Sequence, residues 1–169
     1  MPLADAVAIL GPLLADPCVL KIYQNGKFDL MVMGRAGFPP AAPLDDTMLI
    51  SYVQEAGLHG HGMDELAKRW LGHTPIAFKE VTGSGKSQIT FDRVAIDKAT
   101  AYAAEDADVT LRLHQALWQK LEAIPSLARV LTDIEMPLVP VLARIERLAT
   151  APAEHLDYFR KLHAENKGG

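Results

Sequence analysis

Residues 102–114 read YAAEDADVTLRLH, three acids within four positions on a segment otherwise rich in alanine, leucine and valine. On a helical wheel Tyr102, Asp106, Val109, Leu113 and Leu117 fall at i, i+4, i+7, i+11 and i+15, one stripe that is apolar except for Asp106 and the tyrosine hydroxyl. Glu105, Asp108 and Arg112 fall on the other side and read as surface charge, with Asp108 and Arg112 spaced for a weak i, i+4 ion pair. A carboxylate on an apolar stripe needs a partner, because burying it ionised and alone costs several kcal/mol or forces its pKa up. A bound cation is one answer; a core aspartate hydrogen-bonded to backbone or to a basic side chain is the other. The spacing leaves both open.

Outward from that stripe, the pattern predicts one long helix from Asp97 to about Ala123, broken by Pro125. A last helix runs from about Ser126 to Ala149 and is expected to kink at Pro137 and Pro140. Upstream, PLADAVAILGPLLADP has apolar residues at helical spacing and stops at Asp16-Pro17, a surface helix. CVLKIY is short, apolar and β-rich, and QNGKFDLMVMGRAG reads as a turn and helix, with Asn25 as its cap and Gly37 or the Pro39-Pro40 pair as its end. A proline-rich connector, Phe38 to Pro43, leads to DDTMLISYVQEAG, a helix with acids expected in its first turn. HGHGMDELAKRWLG is a loop and short helix, and Thr74 to Asp92 has no clear period. The pattern thus holds a single strand among helices, and an unpaired strand cannot satisfy its own backbone groups.

Composition narrows the class. The chain has 169 residues, 49% of them hydrophobic, enough for one domain with a full core. Its 17 Lys and Arg against 21 Asp and Glu give a net charge of -4, without the basic footprint of a protein that grips duplex phosphates unaided. The single cysteine, Cys18, excludes an internal disulfide and a cysteine-rich zinc site and fits a cytoplasmic location. No apolar run approaches the ~18 residues of a membrane span, and the opening lacks the pattern of a signal peptide.

Three motifs are set aside. GSGKSQ, residues 83–88, resembles the end of a phosphate-binding loop, but Glu80 stands where the first glycine belongs and no apolar strand precedes it. His59 and His61 lack a third ligand at fitting spacing and read as a solvated loop. Asp133 and Glu135 would share a face on a strand; on the helix expected here they diverge by ~200°. Asp29 falls in the first turn of its helix, where complementing the dipole is a sufficient reading on spacing alone.

QNGKFD, DDTML, HGMDELAKRWLGH, YAAEDADVTLRLH and IEMPLVPVLARIER, in this order and spacing, resemble the 3'-5' proofreading exonuclease domain of family A DNA polymerases, the bacterial DNA polymerase I type. The resemblance runs from about Leu3 to Arg147. It implies an α/β, ribonuclease H-like exonuclease fold and a nuclease of the DEDD superfamily, tyrosine subclass, in which four carboxylates hold two divalent ions during hydrolysis of a 3'-terminal phosphodiester. Oxygen ligands suit Mg²⁺ or Mn²⁺. The resemblance assigns Asp29 and Asp106 as metal ligands and Tyr102 as the residue that orients the attacking water. It places Gln24, Asn25, Phe28, Met63 and Phe78 at positions that touch a single-stranded DNA 3' end. Phe28 is often tyrosine in the family, so a stacking role persists while a hydroxyl contact is lost.

The family's first motif, Asp-x-Glu on the opening strand, would lie ahead of Leu3. The chain is therefore expected to be truncated, with helices predominating and the first sheet strands missing, and to have little or no exonuclease activity alone. The expected division is a partial exonuclease domain at 1–124, a helix resembling the junction to a polymerase domain at 125–147, and a divergent tail at 148–169 with Leu156, Phe159 and Leu162 at helical spacing. Polymerase activity is not expected. Alternatives are a non-catalytic module that binds single-stranded nucleic acid and one half of a split nuclease, completed by a second chain. An open sheet edge would also favour self-association.

Overall fold

The computed structural model describes residues 1–149, and the expected tail helix around Leu156, Phe159 and Leu162 lies outside the described residues. Helix α1 (Leu3–Ala15) leads to β1 (Lys21–Tyr23), α2 (Gly26–Arg35), β2 (Leu44–Asp46) and α3 (Thr47–Glu55). A short helix α4 (Met63–Leu66) runs on as a π-helical turn over Ala67–Leu71 and is followed by α5 (Phe78–Thr82). Helix α6 (Ile96–Glu122) is the long one, and α7 (Pro125–Val130), a π-helical turn (Leu131–Glu135) and α8 (Met136–Ala149) close the described chain.

Among the described residues the sheet has two strands, β1 and β2, in parallel, with Lys21 opposite Leu44 and Tyr23 opposite Asp46. This corrects the single unpaired strand of the sequence pattern. The sequence pattern starts a helix at Asp45, because LDD lacks the β-branched and aromatic signature of a strand and is only three residues long. Asp45 and Asp46 therefore precede α3 instead of occupying its first turn. The fold is a helix-dominated α/β arrangement with α2 as the crossover between parallel strands, as such a connection requires.

The core forms on α6. Val109, Leu113, Leu117 and Leu121 are fully buried and pack with Ile50 of α3, Leu66 and Ala67, and Leu131. Each of the buried Val, Leu and Ile side chains contributes roughly 1.5–3 kcal/mol of burial free energy. The stripe predicted on α6 is thus the inward face, and Asp108 pairs with Arg112 at 3.3 Å on the outer one, as the spacing implied. Helix α1 is a surface helix that leaves Leu3 and Leu10 exposed. The single helix expected from Ser126 to Ala149 is interrupted: a π-helical turn, Leu131–Glu135, separates α7 from α8, Pro137 lies in the first turn of α8 where its missing N–H is tolerated, and Pro140 lies inside it. No helix of the described residues is long and apolar enough to cross a membrane.

Two polar devices hold the strands in place. Lys21 is 8% exposed, and its amine donates to the carbonyls of Asp16 (2.8 Å), Val19 (2.6 Å) and Ala42 (2.6 Å), tying the turn after α1 to the connector before β2. Asp46 is 2% exposed, and its carboxylate accepts from the backbone N–H groups of Asn25 (3.0 Å), Gly26 (2.7 Å) and Met48 (2.9 Å). One side chain therefore caps α2 and α3 together. Asn25, read as the cap of α2, makes no capping side-chain bond; it adopts the left-handed conformation, φ 61°, to turn the chain toward Asp46. Gly26 is required at the next position, where a Cβ would come within 2.7 Å of the Tyr23 Cβ.

Candidate active site

The capped N-terminus of α2 presents Asp29 from its first turn, and the inward stripe of α6 presents Asp106. Both carboxylates line one cavity of about 410 Å³, with Tyr23, Gln24, Met63 and Thr110 also on its wall. Residues 77 positions apart in sequence are brought to one space because β1 packs against both α2 and the middle of α6 and supplies Ile22 and Tyr23 to the same wall.

The electrostatics of this cavity are strained in one sense. Burial pushes the Asp106 carboxyl above the ordinary carboxylate range, the Tyr102 hydroxyl works against that, and Glu105 and Asp64 add to it. The Asp106 Oδ1 is buried without a hydrogen-bond partner. Burial also raises Asp29, opposed by its backbone bond and assisted by the charge of Asp46. Tyr23 and Tyr102 are both raised, first by burial and then by the facing carboxylates Asp29 and Asp106 respectively. Of the two readings left open for Asp106, the hydrogen-bonded core aspartate meets a difficulty: one oxygen has no donor. A buried acceptor without a donor costs about 1–3 kcal/mol and calls for an explanation such as an ion.

The donor chemistry of the cavity, carboxylate oxygens, suits a hard divalent cation. The number is lower than such a site usually offers, for no cluster of three or more His, Cys, Asp or Glu side chains able to hold a metal occurs among the described residues. The histidine loop is not such a cluster, but neither is it merely solvated. His59 bonds the Glu55 carboxylate at 2.7 Å and the Gly60 carbonyl at 2.6 Å, and His61 Nδ1 bonds Ser51 Oγ at 2.9 Å.

The other predicted site residues distribute unevenly. Gln24 and Met63 reach the cavity wall. Gln24 is already committed there: its Nε2 donates to the His61 carbonyl at 2.8 Å and its Oε1 accepts from the Thr47 hydroxyl. Met63 Sδ accepts from Thr110 Oγ1 at 3.6 Å. Asn25 sits at the α2 terminus, and Phe28 on α2 is exposed. Phe78 is also exposed and packs against Phe91 and Tyr102 rather than on the cavity wall.

Several contributors were missed. Glu105, read as surface charge, accepts from His73 Nε2 at 2.8 Å and from the Ile76 N–H at 2.6 Å, which holds the loop before α5 against α6 and lowers its own pKa. Asp45 and His114 bond at 2.7 Å, linking β2 to α6. Asp46 carried a readable signal, an aspartate followed by Thr47 and an apolar run, which is a helix start. Glu105 and the Asp45–His114 pair carried none, since their partners are distant in sequence.

The chain is similar to known proteins in a consistent way. A sequence model of the family described as 3'-5' exonuclease matches residues 1–122. DNA polymerase I of Pseudomonas aeruginosa is 62% identical over 146 residues, which are 85% of this chain and 16% of that protein. DNA polymerase I of Rhizobium leguminosarum is 53% identical over 86% of this chain and 14% of its own length. The chain thus spans about one-sixth or less of the curated relatives it matches. In fold it is similar to Brucella melitensis NrnC, at a TM-score of 0.65 and 21% identity, covering 85% of this chain and 67% of that one. With residues 1–122 matching the family and close relatives named DNA polymerase I, the chain belongs to the 3'-5' exonuclease family as it occurs in bacterial DNA polymerase I.

Proposed function

We propose that this chain binds the 3' end of single-stranded DNA and contributes two carboxylates, Asp29 and Asp106, and the Tyr102 hydroxyl to proofreading hydrolysis of the terminal phosphodiester. Exonucleases of this family act on DNA and use divalent metal ions. The observation that carries the reading is the shared cavity of Asp29 and Asp106, with one Asp106 oxygen buried and unpartnered. Those two residues would hold Mg²⁺ or Mn²⁺, which when bound supplies Lewis acidity toward the scissile phosphate. Tyr102, one turn before Asp106, keeps its phenol protonated through neutral pH, so it can orient a water by hydrogen bonding without competing for the proton. Phe28 and Phe78, exposed on α2 and α5, offer ring faces to unstacked bases, the sequence-tolerant mode of single-strand binding. Gln24 serves as a strut to the loop before α4, its amide already occupied on both sides. Asn25 acts through its backbone, shaping the α2 terminus that carries Asp29.

Two carboxylates are fewer than a two-metal hydrolysis needs, and groups that act as a unit fail together rather than in proportion. Hydrolysis by this chain alone is therefore small. Residues 1–124 form the exonuclease portion and 125–147 a helix leading toward a polymerase portion, a division supported by the break between Glu122 and Pro125; most of the proposed tail, 148–169, lies outside the described residues. The cellular setting is cytoplasmic DNA replication and repair. A second reading has a complementing chain add a strand beside β1: its other neighbour is β2, and Ile22 of β1 borders the carboxylate cavity.

The test combines two readouts on the purified chain. Fluorescence anisotropy of a labelled single-stranded oligonucleotide should show salt-sensitive binding that weakens in Phe28→Ala; absence of binding overturns the proposal. Release from a 3'-labelled strand with Mn²⁺ should be near the Asp106→Ala background. Rapid release that Asp106→Ala abolishes would overturn the two-carboxylate limit, and rapid release that survives it would overturn the assignment of Asp106.

A further inference from the structure

Three rings from three separate segments meet beside the cavity. Phe91, in the short 3-10 turn Phe91–Arg93, stacks on Phe78 of α5 with ring centroids 6.0 Å apart and planes inclined by 22°. It meets Tyr102 of α6 edge-on at 5.8 Å and 60°, and Phe78 meets Tyr102 at 6.1 Å and 67°. Each pair lies within the 4.5–7 Å range and preferred offset or T-shaped geometries of favourable aromatic contact. The three contacts close a triangle, so moving any one ring disturbs both others.

Phe91 is the member without an assigned role. It is 38% exposed, and it occupies a stretch, 83–95, whose regular structure is limited to two short 3-10 turns. A solvated loop of that kind has little reason to spend a phenylalanine on a half-exposed position unless the ring supports something. Beneath it stands Tyr102, whose hydroxyl interacts with Asp106 one turn on; of the two residues over which its side chain leans on α6, Ala99 is too small to fix the ring by contact and Lys98 is an exposed, flexible stem. On the helix the ring is free to choose between the 180° and −60° rotamers. The Phe78–Phe91 pair selects one.

We infer that Phe91 is a positioning residue for this site: with Phe78 it holds the Tyr102 ring in the rotamer that keeps the hydroxyl at Asp106. It acts through Tyr102 and through Phe78, so its loss also frees the Phe78 ring from its stack. The inference rests on the proposed single-strand exonuclease reading only for its consequence in DNA binding; the positioning itself is a property of the fold.

Aromatic NMR on the chain with ¹³C-labelled Tyr and Phe tests it, Tyr102 being assigned by Tyr102→Phe. In the wild type, NOEs connect the Tyr102 and Phe78 rings and the Tyr102 χ1 couplings report one rotamer. In Phe91→Ala these NOEs fade and the couplings average over two rotamers, whereas Phe91→Tyr, which keeps the ring, preserves both. Unchanged NOEs and couplings in Phe91→Ala overturn the inference. If Phe91→Ala unfolds the chain, seen as collapse of all tyrosine resonances together, Phe91→Leu takes its place, keeping apolar bulk without a ring, with the same two outcomes. The companion measurement is oligonucleotide affinity, expected to fall roughly threefold to tenfold in Phe91→Ala, the range an aromatic pair contributes. A mobile Tyr102 with unaltered affinity would support the positioning role and count against the nucleic-acid reading instead.

Discussion

Replacing Asp46 with alanine removes one carboxylate and leaves three backbone N–H groups, those of Asn25, Gly26 and Met48, without their acceptor. Hydrogen bonds to a charged group are each worth about 1.5–3 kcal/mol, so the gross loss is at least 4–5 kcal/mol. Two effects offset it: water enters the space vacated, and the variant no longer buries a carboxylate that burial itself penalises, as its raised pKa indicates. A net loss of about 3 kcal/mol remains, a large share of the 5–15 kcal/mol typical of a domain. For a chain of this size each kcal/mol moves Tm by roughly 2–4 °C, so a fall of about 6–12 °C is expected. Urea unfolding followed by circular dichroism gives the free energy, and hydrogen exchange gives its location: the amides of Asn25, Gly26 and Met48 should lose protection first, because they face the missing group. A loss under 1 kcal/mol, or protection unchanged at these three amides, would refute the claim that Asp46 holds both helix ends.

Three further expectations follow from the same physics. Lys21→Met keeps the stem and deletes the amine that serves three carbonyls, and should cost about 2–4 kcal/mol in urea unfolding; a neutral result would mean that water replaces the amine. Asp106→Asn should stabilise the chain by about 0.5–1 kcal/mol in metal-free buffer, because it removes a charge that burial disfavours. The raised Asp106 carboxyl binds a proton in the folded state at pH values where the unfolded group, near 3.8, has lost it, so wild-type stability should fall as pH climbs through that interval and the variant's should fall less. His59 is raised above 6.5, first by the Gly60 carbonyl and then by the Glu55 carboxylate, so its contribution is complete below pH 6.5 and is lost as pH rises through the folded value. Hydrogen exchange of the 57–62 backbone should accelerate across that window in the wild type and show no such pH step in His59→Gln.

Much of the site was legible because helices report their faces locally. The stripe Tyr102, Asp106, Val109, Leu113, Leu117 is a matter of period, and the buried Val109, Leu113 and Leu117 oriented Asp106 inward without any knowledge of its neighbours. Gly37 likewise ends α2 visibly, with φ +90°. What stayed hidden depends on partners far along the chain. Strand β2 is three residues whose only claim to strand geometry is the backbone of β1, 23 positions earlier, so propensity could not reveal it. Asp46 was visible as an acid at a helix start, but its second duty, capping α2, arises only once β1 and β2 pair. Glu105 is indistinguishable from Asp108 by spacing and differs only because the chain returns at His73 and Ile76. Phe91 lay in a stretch without period, where a half-exposed ring gives no signal until Phe78 and Tyr102 are seen around it.

The most direct test of the central claim is titration of Mn²⁺ into the wild-type chain, Asp29→Asn and Asp106→Asn, with free ion counted by electron paramagnetic resonance. If both carboxylates serve one cation, the wild type binds about one Mn²⁺ weakly, in the high-micromolar to millimolar range expected of few charged oxygen ligands. Either substitution should abolish that binding. Equal binding by all three proteins would place the ion elsewhere and leave Asp29 and Asp106 as neighbours without a common ligand.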